Sequence, residues 1–206
     1  MGRTIQAILP PRRPNARSTV LFDDGTSRKY LPSVVAEQGL IPGMELSDAA
    51  LASVEAANAA ASAKRRAVRI ISAAAVSRKE LEARLTQKGE TPEDAQNAVR
   101  WLEELNLLDD AETARQIVSR GVSRGYGAER IRQMLYEKRI PKQYWDEALA
   151  ELPDMSDALT AFLRKRLGEK PDEKAIRSAA QAAIRRGYRW EEVRQALERV
   201  RNGDCP

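Results

Sequence analysis

The sequence predicts an all-α protein, a tandem repeat of three three-helix modules forming an elongated curved array, preceded by a small β-rich N-terminal segment. Three observations carry that expectation. One apolar signature occurs three times: Ala95, Ala98, Val99 and Leu102, then Trp145, Ala148, Leu149 and Leu152, then Val193, Ala196, Leu197 and Val200. Its internal spacing lines one side of a helix, and a period near fifty residues marks a supersecondary unit that cannot bury its apolar face alone. Helix start and stop signals recur from residue 48 onward, whereas proline and strand-forming residues crowd the first 47. The expected regions are 1–47, a β-hairpin-containing segment; 48–110, a linking helix and the first module; 111–154, the second module; and 155–206, the third.

Taken in order, Ile5 to Leu9 and Thr19 to Phe22 read as strands, and Asp24-Gly25 is a turn signal that returns the chain through Ser27 to Leu31. Pro10, Pro11 and Pro14, around Arg12, Arg13 and Arg17, argue against helix in this segment. Ser47 precedes an alanine-rich run that predicts helix from about Asp48 to Ala75, with a break near Ser62 where the apolar stripe weakens. Ser77 with Glu80 forms a capping box, and Gly89 closes that helix. Thr91-Pro92 with Asp94 caps the next one, and Asp109 or Asp110 caps the helix through Ile117. Ile131 and Leu135 mark a further helix, Pro141 starts the one with the second signature, and Ser156, Pro171 and Gly187 repeat the scheme.

Composition restricts the chemistry. The chain has no histidine, which removes the commonest general base, the commonest metal ligand and every Ser-His or Cys-His pair. Its one cysteine, Cys205, has no partner for a disulfide or a zinc site, so a reduced, cytoplasmic setting is expected. No targeting signal or membrane span is visible. Asp109 and Asp110 stand where a helix needs a cap, and no third acidic residue recurs at a regular spacing, so capping is favoured over a metal site. Gly125-Tyr126-Gly127 lacks the lysine-serine pair and the preceding strand of a phosphate loop. No catalytic residue, metal or cofactor is expected. The net charge of +5 is uneven: residues 1–63 and 64–110 are neutral, 111–154 carry +1 and 155–206 carry +4. That asymmetry fits an anionic partner, and it fits equally a solvated helical surface.

The repeats also carry a specific local text: Ser77-Arg78-Lys79-Glu80-Leu81 to Lys88-Gly89, then Leu107-Leu108-Asp109-Asp110; Arg130-Ile131 to Lys138 and Ile140-Pro141; Ile184-Arg185-Arg186-Gly187-Tyr188 to Glu191-Glu192-Val193. In this text the chain resembles the RecX family of bacterial recombination regulators over roughly residues 64–201. It departs at Ala75-Val76, where an arginine often precedes the serine, at Arg139, where glycine is expected, and at Thr113, usually aromatic. The resemblance implies tandem three-helix repeats, binding in the groove of the RecA-DNA filament, suppression of RecA ATPase, coprotease and strand-exchange activities in recombination and repair, and, as in many members, binding of DNA. A monomer that binds single- or double-stranded DNA weakly and in a salt-dependent way is expected.

Candidate contact residues are the basic and aromatic side chains near module turns: Arg78, Lys79, Arg120, Arg124, Tyr126, Arg130, Arg185, Arg186, Tyr188 and Arg189. Arg185, Arg186 and Arg189 bunch at one turn, where their side chains are expected to project from the core. Tyr126 and Tyr188 suit stacking on bases or a partner, and equally the edge of a core. Trp101 suits either half-burial or an interface. The other functional reading is an autonomous DNA-binding protein made of helix-turn-helix-like modules. Against it, no helix carries the dense arginine, asparagine and glutamine face that reads a major groove.

Overall fold

A computed structural model describes residues 2–168 and 171–202; Cys205 lies outside them. The chain divides into two compact units, one running up to Ala74 and including Leu81–Leu107, the other comprising Ala75–Glu80 and the chain from Leu108 onward.

The first unit begins with an antiparallel sheet of β1 (Arg3–Leu9), β2 (Ser18–Phe22), β3 (Ser27–Tyr30) and β4 (Glu45–Leu46) in the order β3-β2-β1-β4. Three of these strands lie where the sequence predicts them, and β2 alternates cleanly between buried and half-buried residues. The fourth is two residues long, too short to leave a pattern, and is set by its pairing of Arg3 with Leu46 and Thr4 with Glu45. A short helix, α1 (Pro32–Glu37), corrects the expectation of no helix in this segment. Pro32 sits at its start, where a missing N–H costs nothing, and Val34 is buried beneath it. Ile5, Val20, Phe22, Tyr30 and Val34 form the core with Leu51 and Val54 of α2 (Asp48–Ala73).

Helix α2 runs unbroken through Ser62. The polar residues that weaken its stripe are used: Asn58 Oδ1 accepts from Leu31 N at 3.0 Å, and Ser62 Oγ accepts from Arg17 at 2.8 Å while donating to Asn58 O at 2.6 Å. Its second half buries Ala63, Ala67 and Ile70 and packs on α4 (Pro92–Glu104), whose Ala95, Ala98, Val99 and Leu102 are all buried. Thr91 caps α4, accepting from Asp94 N at 3.1 Å. Leu81 and Leu85 of α3 (Arg78–Gln87) are fully buried, and Gly89, at φ +91, ends that helix.

The second unit holds α5 (Asp110–Ser123), α6 (Ala128–Glu137), a 3-10 turn at Lys142–Tyr144 running into α7 (Trp145–Ala150), α8 (Ser156–Leu167), α9 (Glu173–Arg185) and α10 (Trp190–Asn202). Ala114, Ile117, Ile131, Leu135 and Ala148 make one core, joined by Trp145, Leu149 and Leu152 at its edge. Leu159, Leu163, Ala183, Val193 and Ala196 make another, with Leu197 and Val200 at its edge. Arg139 keeps a left-handed backbone, φ +54, after α6, although it has a side chain where a glycine was expected. Thr113 is buried and its hydroxyl donates to Asp109 O at 2.7 Å.

Candidate partner-binding surface

Most of the sequence-predicted contact residues come together where α5, α6, α9 and α10 meet in the second unit. Helix α5 ends through Arg120 and Arg124, and Gly125, with φ +66, turns the chain into Tyr126 and Gly127, the N-cap of α6. Helix α9 ends at Arg185 with Arg186 as its C-cap, and Gly187, with φ +88, turns the chain into Tyr188 and α10. The two turns are joined through their backbones: Gly127 N donates to Arg186 O at 2.9 Å and Glu129 N donates to Gly187 O at 3.1 Å. Such an approach requires glycine on both sides. A Cβ on Gly127 would lie 2.3 Å from Gly187 O, and one on Gly187 would lie 2.2 Å from Arg130 N.

Side chains close the joint. The Arg186 guanidinium stands 4.5 Å from the centre of the Phe162 ring and 5.8 Å from that of Tyr126, and it donates to Arg124 O at 3.2 Å and Gly125 O at 3.4 Å. Tyr188 is buried, and its hydroxyl donates to Gly125 O at 3.1 Å. Burial pushes its phenol above the ordinary pKa. Arg189 donates twice to Glu129 Oε1, at 3.2 and 3.0 Å, and Arg130 pairs with Glu137 at 3.0 Å. The expectation that Arg185, Arg186 and Arg189 all project is thus corrected for Arg186. A cation facing two aromatic rings and two backbone carbonyls, one of them shared with the Tyr188 hydroxyl, gains more by turning inward than by remaining hydrated. Arg120, Arg124 and Arg185 are exposed and form no ion pair among the described residues.

Arg78 and Lys79 lie elsewhere in the same unit, on the first turn of α3. Ser77 Oγ accepts from Glu80 N at 3.1 Å, the expected cap, and also donates to Lys138 O at 2.6 Å, while Glu80 pairs with Lys138 Nζ at 3.1 Å. Of the two candidate aspartates, Asp109 caps α5, accepting from Ala111 N at 2.8 Å. Asp110 is 1% exposed and accepts from Arg78 N at 2.9 Å, so its carboxylate caps α3 from a neighbouring helix. Lys79 is exposed. Trp101, in the first unit, is half-buried with Lys64 Nζ 5.2 Å from its ring centre.

Desolvation raises the Asp110 pKa above its ordinary 3.8, and the Arg78 backbone N–H and guanidinium offset this only in part. A carboxyl with a raised folded-state pKa contributes stability that is fully present below its unfolded value and lost as pH rises through the folded one. Asp110→Asn keeps the acceptor for Arg78 N and removes the charge, so its melting temperature should gain on the parent's as pH is raised from acid to neutral. Asp110→Ala strands the N–H and should cost about 1–3 kcal/mol. A parallel pH dependence for parent and Asn variant in thermal melts would contradict this account.

Sequence reasoning missed Phe162, Glu129 and the two glycines as determinants of the joint. The signal was the paired text Gly125-Tyr126-Gly127 and Arg186-Gly187-Tyr188, whose glycines answer each other. Among the described residues no group of three acidic, histidine or cysteine side chains is placed to hold a metal, and no helix is long and apolar enough to cross a membrane.

Comparison with known proteins follows the same outline. The model of the first three-helix domain of RecX matches residues 63–102, and that of the second matches residues 109–149. The regulatory protein RecX of Chromohalobacter salexigens is 35% identical over 135 residues, covering 64% of this chain and 88% of the relative. That of Vibrio parahaemolyticus is 32% identical over 139 residues, 66% and 90% of the two chains. The Clostridioides difficile protein of the same name is 26% identical over 206 residues, 97% of each. A crystal structure of a regulatory protein RecX superposes with a TM-score of 0.65 at 20% identity, covering 95% of this chain and 99% of the other. RecX from Lactobacillus salivarius superposes at 0.59 with 18% identity, covering 70% and 97%. At those identities the structural likeness is one of fold.

Proposed function

Because the chain belongs to the RecX family, we propose that it is a non-enzymatic, cytoplasmic regulator that binds as a monomer in the groove of RecA-DNA filaments and restrains RecA ATPase, coprotease and strand-exchange activities. The observation that supports this most is the backbone joint in the second unit, which holds the exposed Arg120, Arg124 and Arg185 on a stiff support. A filament presents the same acidic and phosphate groups on successive subunits. A protein with repeated helical groups, here read as three, meets several subunits at once, and each further contact is gained without a second loss of translational freedom. Bridging contacts of that kind hold neighbouring subunits in one geometry and oppose the changes that hydrolysis and strand exchange require.

The test uses arginines with no structural duty. Arg186 and Arg189 are engaged within the chain, so their removal would mix folding with binding. Arg120→Ala, Arg124→Ala and Arg185→Ala combined should leave the melting temperature nearly unchanged. At about 0.5 kcal/mol for each exposed charge contact, the concentration needed to half-inhibit a recombinase filament should rise about tenfold. Inhibition of ATPase and strand exchange equal to the parent's at low and high salt would remove these residues from the mechanism.

A further inference from the structure

The first unit carries a second concentration of arginine, outside the surface described above and, for its loop, ahead of both matched family domains. The loop between β1 and β2 holds Arg12, Arg13 and Arg17, and one side of α2 holds Ser62, Arg65, Arg66 and Arg69. The loop is pinned to the helix at two points. Arg65 donates to Asn15 O at 3.0 Å, and Arg17 donates to Ser62 Oγ at 2.8 Å, to Asn58 Oδ1 at 3.3 Å and to Lys29 O at 3.3 Å. A turn closed by Ala16 N on Arg13 O, with Asn15 at φ +64, sets Arg12 and Arg13 beside the pinned point. Arg69 lies one helical turn beyond Arg65 on the same side of α2.

The pins are cations held by neutral oxygens. Carbonyl, amide and hydroxyl acceptors fix Arg17 and Arg65 without cancelling their charge. Arg66 does have a carboxylate, Glu90 at 2.7 Å, but Arg12, Arg13 and Arg69 are exposed and make no ion pair among the described residues. Burial, and after it the charges of Arg17, Arg69 and Arg66, lower the pKa of Arg65, and no carboxylate counters them. Holding like charges this close is unfavourable in the free protein, and several anions arriving together relieve it.

We propose that the Arg12–Arg13 loop and the Arg65–Arg69 side of α2 form a binding track for the phosphate backbone of a nucleic acid strand. Guanidinium forks match phosphate oxygens in pairs. A strand also brings its anions already linked in series, so the first contact raises the local concentration of the rest. Arg17 and Arg65 position the track; Arg12, Arg13 and Arg69 make its outer contacts. The inference goes beyond the regulatory reading and does not rest on it, since its test contains no recombinase.

The full chain is titrated into a labelled single-stranded oligonucleotide and into the matching duplex, over a range of salt, with fluorescence anisotropy as readout. Arg12→Ala, Arg13→Ala and Arg69→Ala combined should weaken binding at low salt at least tenfold. It should also reduce the log-log salt slope by roughly 2 to 3, that is, about 0.7–0.9 for each lost contact. The three lysine replacements should restore most of the slope, which separates charge from folding, and thermal melts of all variants should coincide. Tighter binding of the oligonucleotide than of the duplex assigns the track to single strands, and the reverse assigns it to duplex. No binding by the parent at low salt, an unchanged slope in the alanine variant, or competition by polyglutamate as effective as by unlabelled DNA would overturn the proposal.

Discussion

Gly187→Ala should cost about 2–5 kcal/mol and lower the melting temperature by many degrees, although it adds one methyl group. Two penalties combine. At φ +88 an L side chain is strained by roughly 1–2 kcal/mol, and the new Cβ would sit 2.2 Å from Arg130 N, an overpacking that typically costs 1–3 kcal/mol. Two neighbours separate the terms. Gly89 has φ +91 with open space around it, so Gly89→Ala bears the conformational cost alone. Gly127 has φ −73, ordinary for any residue, but its Cβ would meet Gly187 O at 2.3 Å, so Gly127→Ala bears the steric cost alone. Thermal melts of the three variants should rank Gly187→Ala as the most damaging. A Gly187→Ala melt no lower than that of Gly89→Ala would mean that the backbone joint carries no packing.

Val193→Asp should be at least as damaging, about 4 kcal/mol or more, which is the range reached when an unpaired charge enters a core. Val193 is fully buried among Leu159, Leu163, Ala183 and Ala196. Helical circular dichroism should fall at ambient temperature, and limited proteolysis should open α8 to α10 first. Val193→Ala offers the milder comparison. Retention of the parent's melting temperature by Val193→Asp would show that this core contributes little to the fold.

How far the sequence spoke can be judged from particular residues. The signature positions lie inward because a 3.6 periodicity is a direct imprint of burial. Thr91 and Asp109 cap their helices as their chemistry dictates. Helix α1 was invisible because six residues with no side-chain cap hold together only through the burial of Val34, a tertiary effect. Ser62 read as a weak point because its partner, Arg17, is 45 residues away. Ser156, which the sequence places at the start of the last group of helices, is the first residue of α8, and its N–H is satisfied by the carboxylate of Asp154 at 2.8 Å, two residues back.

The candidate surface was less legible than the fold. Basic residues near turns can be picked out from sequence, but which of them are already engaged cannot. Arg186 finds Phe162 and Tyr126, and Arg189 finds Glu129, across sequence separations that leave no periodic trace. Asp110 and Asp109 are identical in type and adjacent, yet one caps its own helix and the other a helix 32 positions back.

One feature of the first unit limits how such a chain can change length. Helix α2 is a single rod whose early turns lie under the sheet and whose later turns lie on α4, with no hinge between. Each added residue rotates everything beyond it by about 100°. An insertion of one or two residues would therefore point the α4-facing stripe away from its partner while the sheet-facing stripe stayed in place. Seven residues, nearly two full turns, would restore the phase to within about 20° and only move the two ends apart by about 10 Å. The rod thus acts as a phase lock: its side chains are free to drift, while its length can change only in steps close to whole turns.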